Sequence, residues 1–396
     1  MAFILAVLSI YWAVFFHLPA NLNNLVIYIV DMDGATPQYS QSVTGHAPLV
    51  GPGIAELASQ MMQQPNTLGY RMIPGSAFNN DPIQVRQAIY NEEAWAAIVV
   101  NPNATALLYS AVETGNASYD PLGACQLVYV QARDDTTYSS YILPMLNEFM
   151  TSATATALSP AIGFSQYNLR PFYPYTATPA VTIGLIYLII ISFFSFSFYL
   201  PIHLKYLKPE GHPPLKFWQL VLWRWLATIT AYLFLSLAYS LISLAFQLNF
   251  SGGDPASSQT LPTVAAHGNP DAYGKATFMV YWMLNYWGMI ALGLACENVA
   301  MFVGQPWTGL WLIFWVISNV STSFYNIDTE PAFYRWGYAW PLHHVVQGSR
   351  TILFDLHSQI GLNFGVLIAW AAANTAGSAT HPNLDPSEHL NIVAYK

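Results

Sequence analysis

Apolar residues follow two patterns along this chain: long unbroken runs, and shorter runs broken at helical or strand spacing. A helix that crosses a bilayer needs about 20 mostly apolar residues. Six stretches approach that length: Ala2–Leu18, Val181–Leu200, Trp218–Phe246, Thr277–Phe302, Trp307–Thr322 and roughly Gln359–Ala373. The last is short and carries Asn363. The first, AFILAVLSIYWAVFFHL, reads as a span or as a cleaved signal peptide. It lacks a basic leading segment and crowds Trp, Tyr and Phe near its end, which favours the span.

Residues 21–180 keep a different rhythm. NLVIYIVDMD reads as a buried strand, VGPGIAELASQMM as a helix, LGYRMIP as a strand and IQVRQAIYNEE as a helix. WAAIVVNP, ATALLYSAVETG and ACQLVYVQAR continue as strand, helix and strand, and a long helix from about Thr136 to Leu158 closes the set. β-Branched runs bounded by Pro, Gly and Asn, alternating with longer periodic segments, predict an α/β domain with at least partly parallel strands. About 150 residues suffice for a core of its own. Residues 326–356 are too polar to span but dense in Trp and Tyr, as at a membrane interface. They predict a pair of short helices lying on, or dipping into, the outer leaflet. The layout is therefore a multi-pass α-helical membrane protein of six spans, with an extracytoplasmic α/β domain inserted between the first two. Residues 1–20 form the first span and 21–180 the α/β domain. Residues 181–373 hold five further spans, with the hairpin at about 326–356, and 374–396 form a polar tail.

Composition strengthens this reading. Only 8% of the 396 residues are charged, against roughly 25% in a soluble chain. The short loop HLKYLKPEGHPPLKFW holds Lys205, Lys208 and Lys216, the first lysines in the chain, and short Lys-rich loops stay cytoplasmic. That orientation puts residues 21–180 and the Asn249–Lys275 loop outside. Arg335 and Arg350 fall outside too, which counts mildly against it. The glycosylation sequons at Asn103, Asn116 and Asn249 all land on the outer side. Asn319 does as well, but too close to the fifth span to be a good acceptor. Between Asn21 and Ala180 there are four Arg, no Lys and eleven acidic residues, which argues against a nucleic-acid partner. Cys125 and Cys296 fall in different compartments and have no metal-site spacing.

Candidate chemistry is sparse. Asp31-Met-Asp33-Gly34 follows a strand, as in phosphatases that use one carboxylate as nucleophile and another as proton shuttle. That chemistry needs a cation for the phosphate, and residues 21–180 contain no lysine. The plain reading is a strand end marked by Asx-type turn residues. His343 and His344 could be metal ligands, but adjacent helical residues diverge by about 100° and neither has a histidine at i+4. They read instead as interfacial histidines. No nucleophile elbow and no phosphate-binding loop is present, so any ATPase would be a separate chain. Arg224 and Glu297 each interrupt an apolar run about six residues from its cytoplasmic end, roughly 9 Å deep at 1.5 Å per residue. Such charges pair or line a wet cavity, or each snorkels to the interface.

Several stretches resemble the fungal nitrosoguanidine-resistance membrane protein family. They include SIYWAVFFHLPANLNNLVIYIVDMDG, AWAAIVVNPNATALLYSA, VQARDDTTYSSYILPML and VTIGLIYLIIISFFSF. The longest is LGLACENVAMFVGQPWTGLWLIFWVISNVSTSFYNIDTEPAFYRWGYAWPLHHVVQGSRTILFD. The resemblance implies the architecture of phage-infection proteins and of the membrane halves of type-2 ABC exporters. That architecture has one span, a large outer domain, then five spans with a re-entrant outer hairpin. It also implies a plasma-membrane protein, reached through the endoplasmic reticulum, linked to resistance to toxic compounds and to lipid distribution. It supplies no catalytic residues and no cofactor. Family members carry a basic cytosolic extension before the first span, a departure that leaves the native start of this chain open. The expectation is a non-enzymatic protein that exports or redistributes amphiphiles or lipids. The alternative is a scaffold or accessory subunit that organises lipids or a partner membrane protein. Membrane lipids are the expected partners, and a homo-oligomer is compatible with either reading.

Overall fold

The computed structural model describes residues 2–16, 18–34, 47–156, 162–195, 217–248, 250, 273–303 and 307–379. The Lys205–Lys216 loop, Asn249, most of the 249–275 loop and residues 380–396 lie outside them.

A five-stranded sheet is built from β1 (Val26–Asp31), β2 (Gly69–Pro74), β3 (Ala96–Val100), β4 (Cys125–Tyr129) and β5 (Phe164–Asn168), in the order β2-β1-β3-β4-β5. Only the β3–β4 pair is antiparallel. In register, Ile29 faces Met72 on one side and Ile98 on the other, and Ile98 faces Leu127. β3 and β4 are buried along their whole length, the pattern of central strands covered on both faces. Side chains alternate between faces along each strand, and the sheet uses both. Ile27, Ile29, Ile98, Val100 and Leu127 join one core, with residues from helices α2 (Val50–Met61) and α5 (Leu143–Thr156).

Val30, Val99 and Val128 point the other way, toward Val85 and Ile89 of helix α3 (Pro82–Tyr90). Asp81 starts α3 by accepting from the Ile83 amide at 2.9 Å, with Pro82 in the first turn, where its missing N–H costs nothing. Helix α4 (Ala104–Thr114) follows β3 and ends at Gly115, whose φ of 64° is the left-handed stop that glycine allows. The expected long helix at 136–158 instead begins with a wider π turn at Tyr138–Ile142 before α5. β5 lies on FSQYN, a polar stretch for which the sequence predicted no element.

The core on this second face does not stop at the sheet. It continues through Val130, Leu169 and Phe172 into Leu185, Leu284, Leu342 and Val345 of the apolar helices. Among the described residues, four helical stretches are long and apolar enough to cross a membrane: Tyr175–Ser195, Val221–Ala245, Gly274–Ala300 and Ile360–Gly377. We number the helices that carry them α6 (Tyr175–Ser195), α7 (Phe217–Ala245), α8 (Thr277–Val303) and α11 (Ile360–Ala379). Between the last two lie α9 (Trp307–Ser321) and α10 (Pro341–Phe354).

Three expectations need correction. The stretch Ala2–Leu18 is not one helix: α1 (Ala2–Ala13) ends early and a 3-10 helix, Leu18–Asn24, leaves it at 45°. The fifth apolar stretch forms a helix of 15 residues, about 22 Å long and short of a hydrocarbon core of about 30 Å. The last helix does not end at Ala373 before a polar tail but runs on to Ala379. It can do so because neighbouring helices engage its polar residues: Asn374 donates to the Ala291 carbonyl at 3.1 Å, and Thr375 accepts from Trp225 Nε1 at 3.0 Å.

The hairpin consists of a 3-10 helix, Ala332–Ala339, followed by α10. Close packing against α8 depends on two glycines. A Cβ on Gly288 would lie 2.6 Å from Val345 Cγ2, and one on Gly348 would lie 2.7 Å from Leu284 Cδ2. Small residues let helix backbones approach this closely.

Candidate functional site

The structure brings Arg224 and Glu297 together. Arg224 Nη2 lies 2.7 Å from Glu297 Oε1, and Thr228, one turn further along α7, donates to Oε2 at 3.3 Å. Glu297 is only 8% exposed. The next residue, Asn298, donates to the Asn374 carbonyl at 2.8 Å. A polar belt thus joins α7, α8 and α11 near one end of the bundle. Removing one member of a buried ion pair strands the other charge, whereas an intact pair locks the helices in place. The belt can therefore hold three helices together.

The other residues singled out from sequence have separate fates. Asn103 is half-buried at the start of α4, and the third residue of its sequon, Thr105, is buried. Asn116 is exposed, and its Oδ1 accepts from the Ser118 amide at 2.9 Å. Asn319 is buried in α9, where Oδ1 accepts from the Leu342 amide at 3.2 Å and so caps α10. Asp31 accepts from the Asp33 amide at 2.9 Å, and burial raises its pKa. Asp33 accepts from the Thr105 amide and hydroxyl and from the Gly51 amide. The Thr105 hydroxyl in turn accepts from the amides of Leu49 and Val50. Asp33 thus fastens α2 and α4 to the end of β1, while Asp31 closes the local turn. Cys125 and Cys296 are free and buried, and no metal-ligand cluster exists among the described residues.

Sequence reasoning missed a cavity of about 290 Å³ where the sheet, the hairpin and α11 meet. Glu92, Trp95, Arg133 and Asp134 come from one end of the sheet, just before β3 and just after β4. The Arg133 guanidinium stacks 3.8 Å over the Trp95 ring and sits 3.7 Å from Glu92. Arg350 of α10 reaches Asp134 at 3.9 Å and donates to the Arg133 carbonyl at 3.0 Å. The two histidines are not simply interfacial. His343 Nδ1 lies 3.1 Å from the Thr322 carbonyl, which can only accept, so Nδ1 carries the proton and Nε2 is left as an acceptor. Burial, helped by His344 and Arg350, pushes the His343 pKa down to about 4. His344 bridges the Tyr338 carbonyl, 2.8 Å from Nε2, and the Asn363 amide, 2.9 Å from Nδ1. Leu362 and Val366, one turn apart on α11, give the cavity an apolar end. One clue was available in the sequence. His343, Gln347 and Arg350, spaced i, i+4 and i+7, put polar groups on one face of a helix.

A protein of Saccharomyces cerevisiae named as an uncharacterized endoplasmic reticulum membrane protein, YJR015W, is 28% identical over 337 residues. The match covers 75% of this chain and 61% of that protein, so the chain spans less than two thirds of its relative's length. No solved structure matches. The family described as "Protein of unknown function (DUF3533)" matches residues 1–157 and 150–376, and the chain belongs to that family.

Proposed function

We propose that this membrane protein supports drug or stress resistance by exporting or redistributing amphiphiles or lipids, without catalysing a covalent reaction. In this reading the chain crosses the membrane six times. The bent α1 segment and the short α9 complete the set of spans, and the sheet unit lies on the extracytoplasmic side. The plasma membrane is the proposed site, reached through the endoplasmic reticulum. The name of the yeast relative favours residence in the endoplasmic reticulum as a second location, which microscopy of a tagged chain would decide.

The observation that carries the reading is the cavity. It joins a charged end at the sheet to an apolar end on a membrane-length helix, the two-sided surface an amphiphile needs. A scaffold is the second reading, favoured by the closed Arg224–Glu297 belt and the shared core. The test is export of fluorescent lipid analogues and resistance to amphiphilic toxicants, with Glu297→Gln compared with wild type at equal amounts of folded protein. If Glu297→Gln folds but loses export, transport holds and the carboxylate takes part. If wild type moves no amphiphile and its loss changes no sensitivity, the scaffold reading replaces it.

A further inference from the structure

Charge is unevenly matched in the cavity. Its lining holds three carboxylates, Glu92, Asp134 and Asp328, against two guanidinium groups, Arg133 and Arg350. Each guanidinium already faces a carboxylate, Arg133 with Glu92 and Arg350 with Asp134. Asp328 is the carboxylate left over. Its side chain accepts a hydrogen bond from the Tyr338 hydroxyl at 3.2 Å, and among the described residues no cation lies within ion-pair distance of it.

The surroundings of Asp328 suit a cation. The rings of Tyr325 and Tyr338 line the same space, and ring faces attract ammonium groups. His343 also lines it, with Nε2 as an acceptor. A second observation points to a ligand. Asn363 is 1% exposed and lines the cavity, and the end of its side-chain amide turned away from His344 Nδ1 has no hydrogen-bond partner among the described residues. A buried amide end without a partner has lost its water and gained nothing in return, a cost that a bound polar group would offset. From Asp328 the polar lining runs through Tyr338 and His344 to Asn363, and then gives way to Leu362 and Val366.

We propose that the cavity binds an ammonium-bearing amphiphile, its cationic head at Asp328 and its chain along Leu362 and Val366 of α11. This rests on the amphiphile reading above and narrows it to a substrate class. An ethanolamine phospholipid and a free alkylamine share the ammonium chemistry.

The full chain in lipid nanodiscs made of uncharged galactolipids, which carry no ammonium group, provides the test at pH 7.5. Dodecylamine, dodecanol and dodecyl sulfate are titrated, and uptake of phosphatidylethanolamine from donor vesicles is measured alongside. Dodecylamine should bind at least tenfold more tightly than dodecanol, and dodecyl sulfate more weakly still. Asp328→Asn should remove most of that preference. The preference among ligands in wild type stands as evidence even if the variant fails to fold. Uptake of phosphatidylethanolamine with weak dodecylamine binding assigns the site to the lipid; the reverse assigns it to free cationic amphiphiles. Either supports the proposal. Equal binding of all three dodecyl compounds overturns the ammonium assignment and leaves the amphiphile reading intact. Binding of none overturns both.

Discussion

Where the exit of α1 meets the hairpin, Glu330 has both carboxylate oxygens enclosed and without a hydrogen-bond partner among the described residues. Burial raises its pKa from 4.5 to about 9. Its charged neighbourhood is thin: Tyr334, whose hydroxyl donates to the Ile10 carbonyl, is the titrating group that senses it. Below pH 4.5 folded and unfolded chains both hold the proton, and the fold bears no penalty. As the pH rises past 4.5 the unfolded chain releases its proton while the folded chain keeps it. Stability therefore falls with pH until the folded carboxyl also ionises near pH 9. Glu330→Gln cannot ionise and should melt above wild type at pH 8, with the gap closing at pH 5. A gap of the same size at both pH values would mean that the carboxylate has a partner in the membrane-bound protein. Glu330 and Arg224–Glu297 differ in how readily sequence exposes them. A charge inside a long apolar run stands out, and its depth follows from counting residues at 1.5 Å each. Glu330 lies in a polar segment, where only the fold reveals that it is enclosed.

Among the secondary-structure elements, the seam between α8 and α10 is the least tolerant of added volume. Gly348→Val should push the hairpin off α8 and cost about 1–3 kcal/mol, the usual range for overpacking. Gly365→Val on α11 is the matched control, because a Cβ there meets nothing within 4 Å. Comparing the monodisperse fraction of the two variants after detergent extraction checks this; equal yields would place the hairpin elsewhere. Strands β1 to β4 could be read from sequence because each is a β-branched or aromatic run ended by turn residues. β5 could not, because an edge strand buried mainly at Phe164 needs few apolar residues. The length of α9 was legible, but the 45° bend after α1 was not, since it appears only in three dimensions. The cavity escaped for a related reason. Its walls come from four stretches far apart in the chain, near residues 92–95, 133–134, 323–328 and 338–366. In each stretch the polar groups look like ordinary surface.

For the whole molecule, the first question is which side of the membrane holds the sheet. If it faces the extracytoplasmic compartment, the chain made in a eukaryotic host should lose mass on glycosidase treatment. Asn116→Gln should remove more of that shift than Asn103→Gln, because Asn116 is exposed while the sequon of Asn103 has its threonine buried. Protease protection of the sheet from the cytosolic side is the matching measurement, and cleavage there would reverse the orientation. The sheet is not a tethered head on a bundle. Arg170 clasps Asp355 at 2.6 Å across 185 residues of chain, Phe172 packs on Phe354 with ring centres 4.9 Å apart, and one apolar core is common to both parts. This has a consequence for the order of synthesis. Translation runs at about 5–20 residues per second, and Arg350, which bonds to the Arg133 carbonyl, lies 217 residues after it. The newborn sheet must therefore wait on the order of ten seconds or more with Val130, Leu169 and Phe172, where its core runs on into the later helices, incompletely covered. During that interval the nascent unit presents apolar surface, and its packing is complete only once α10 has emerged.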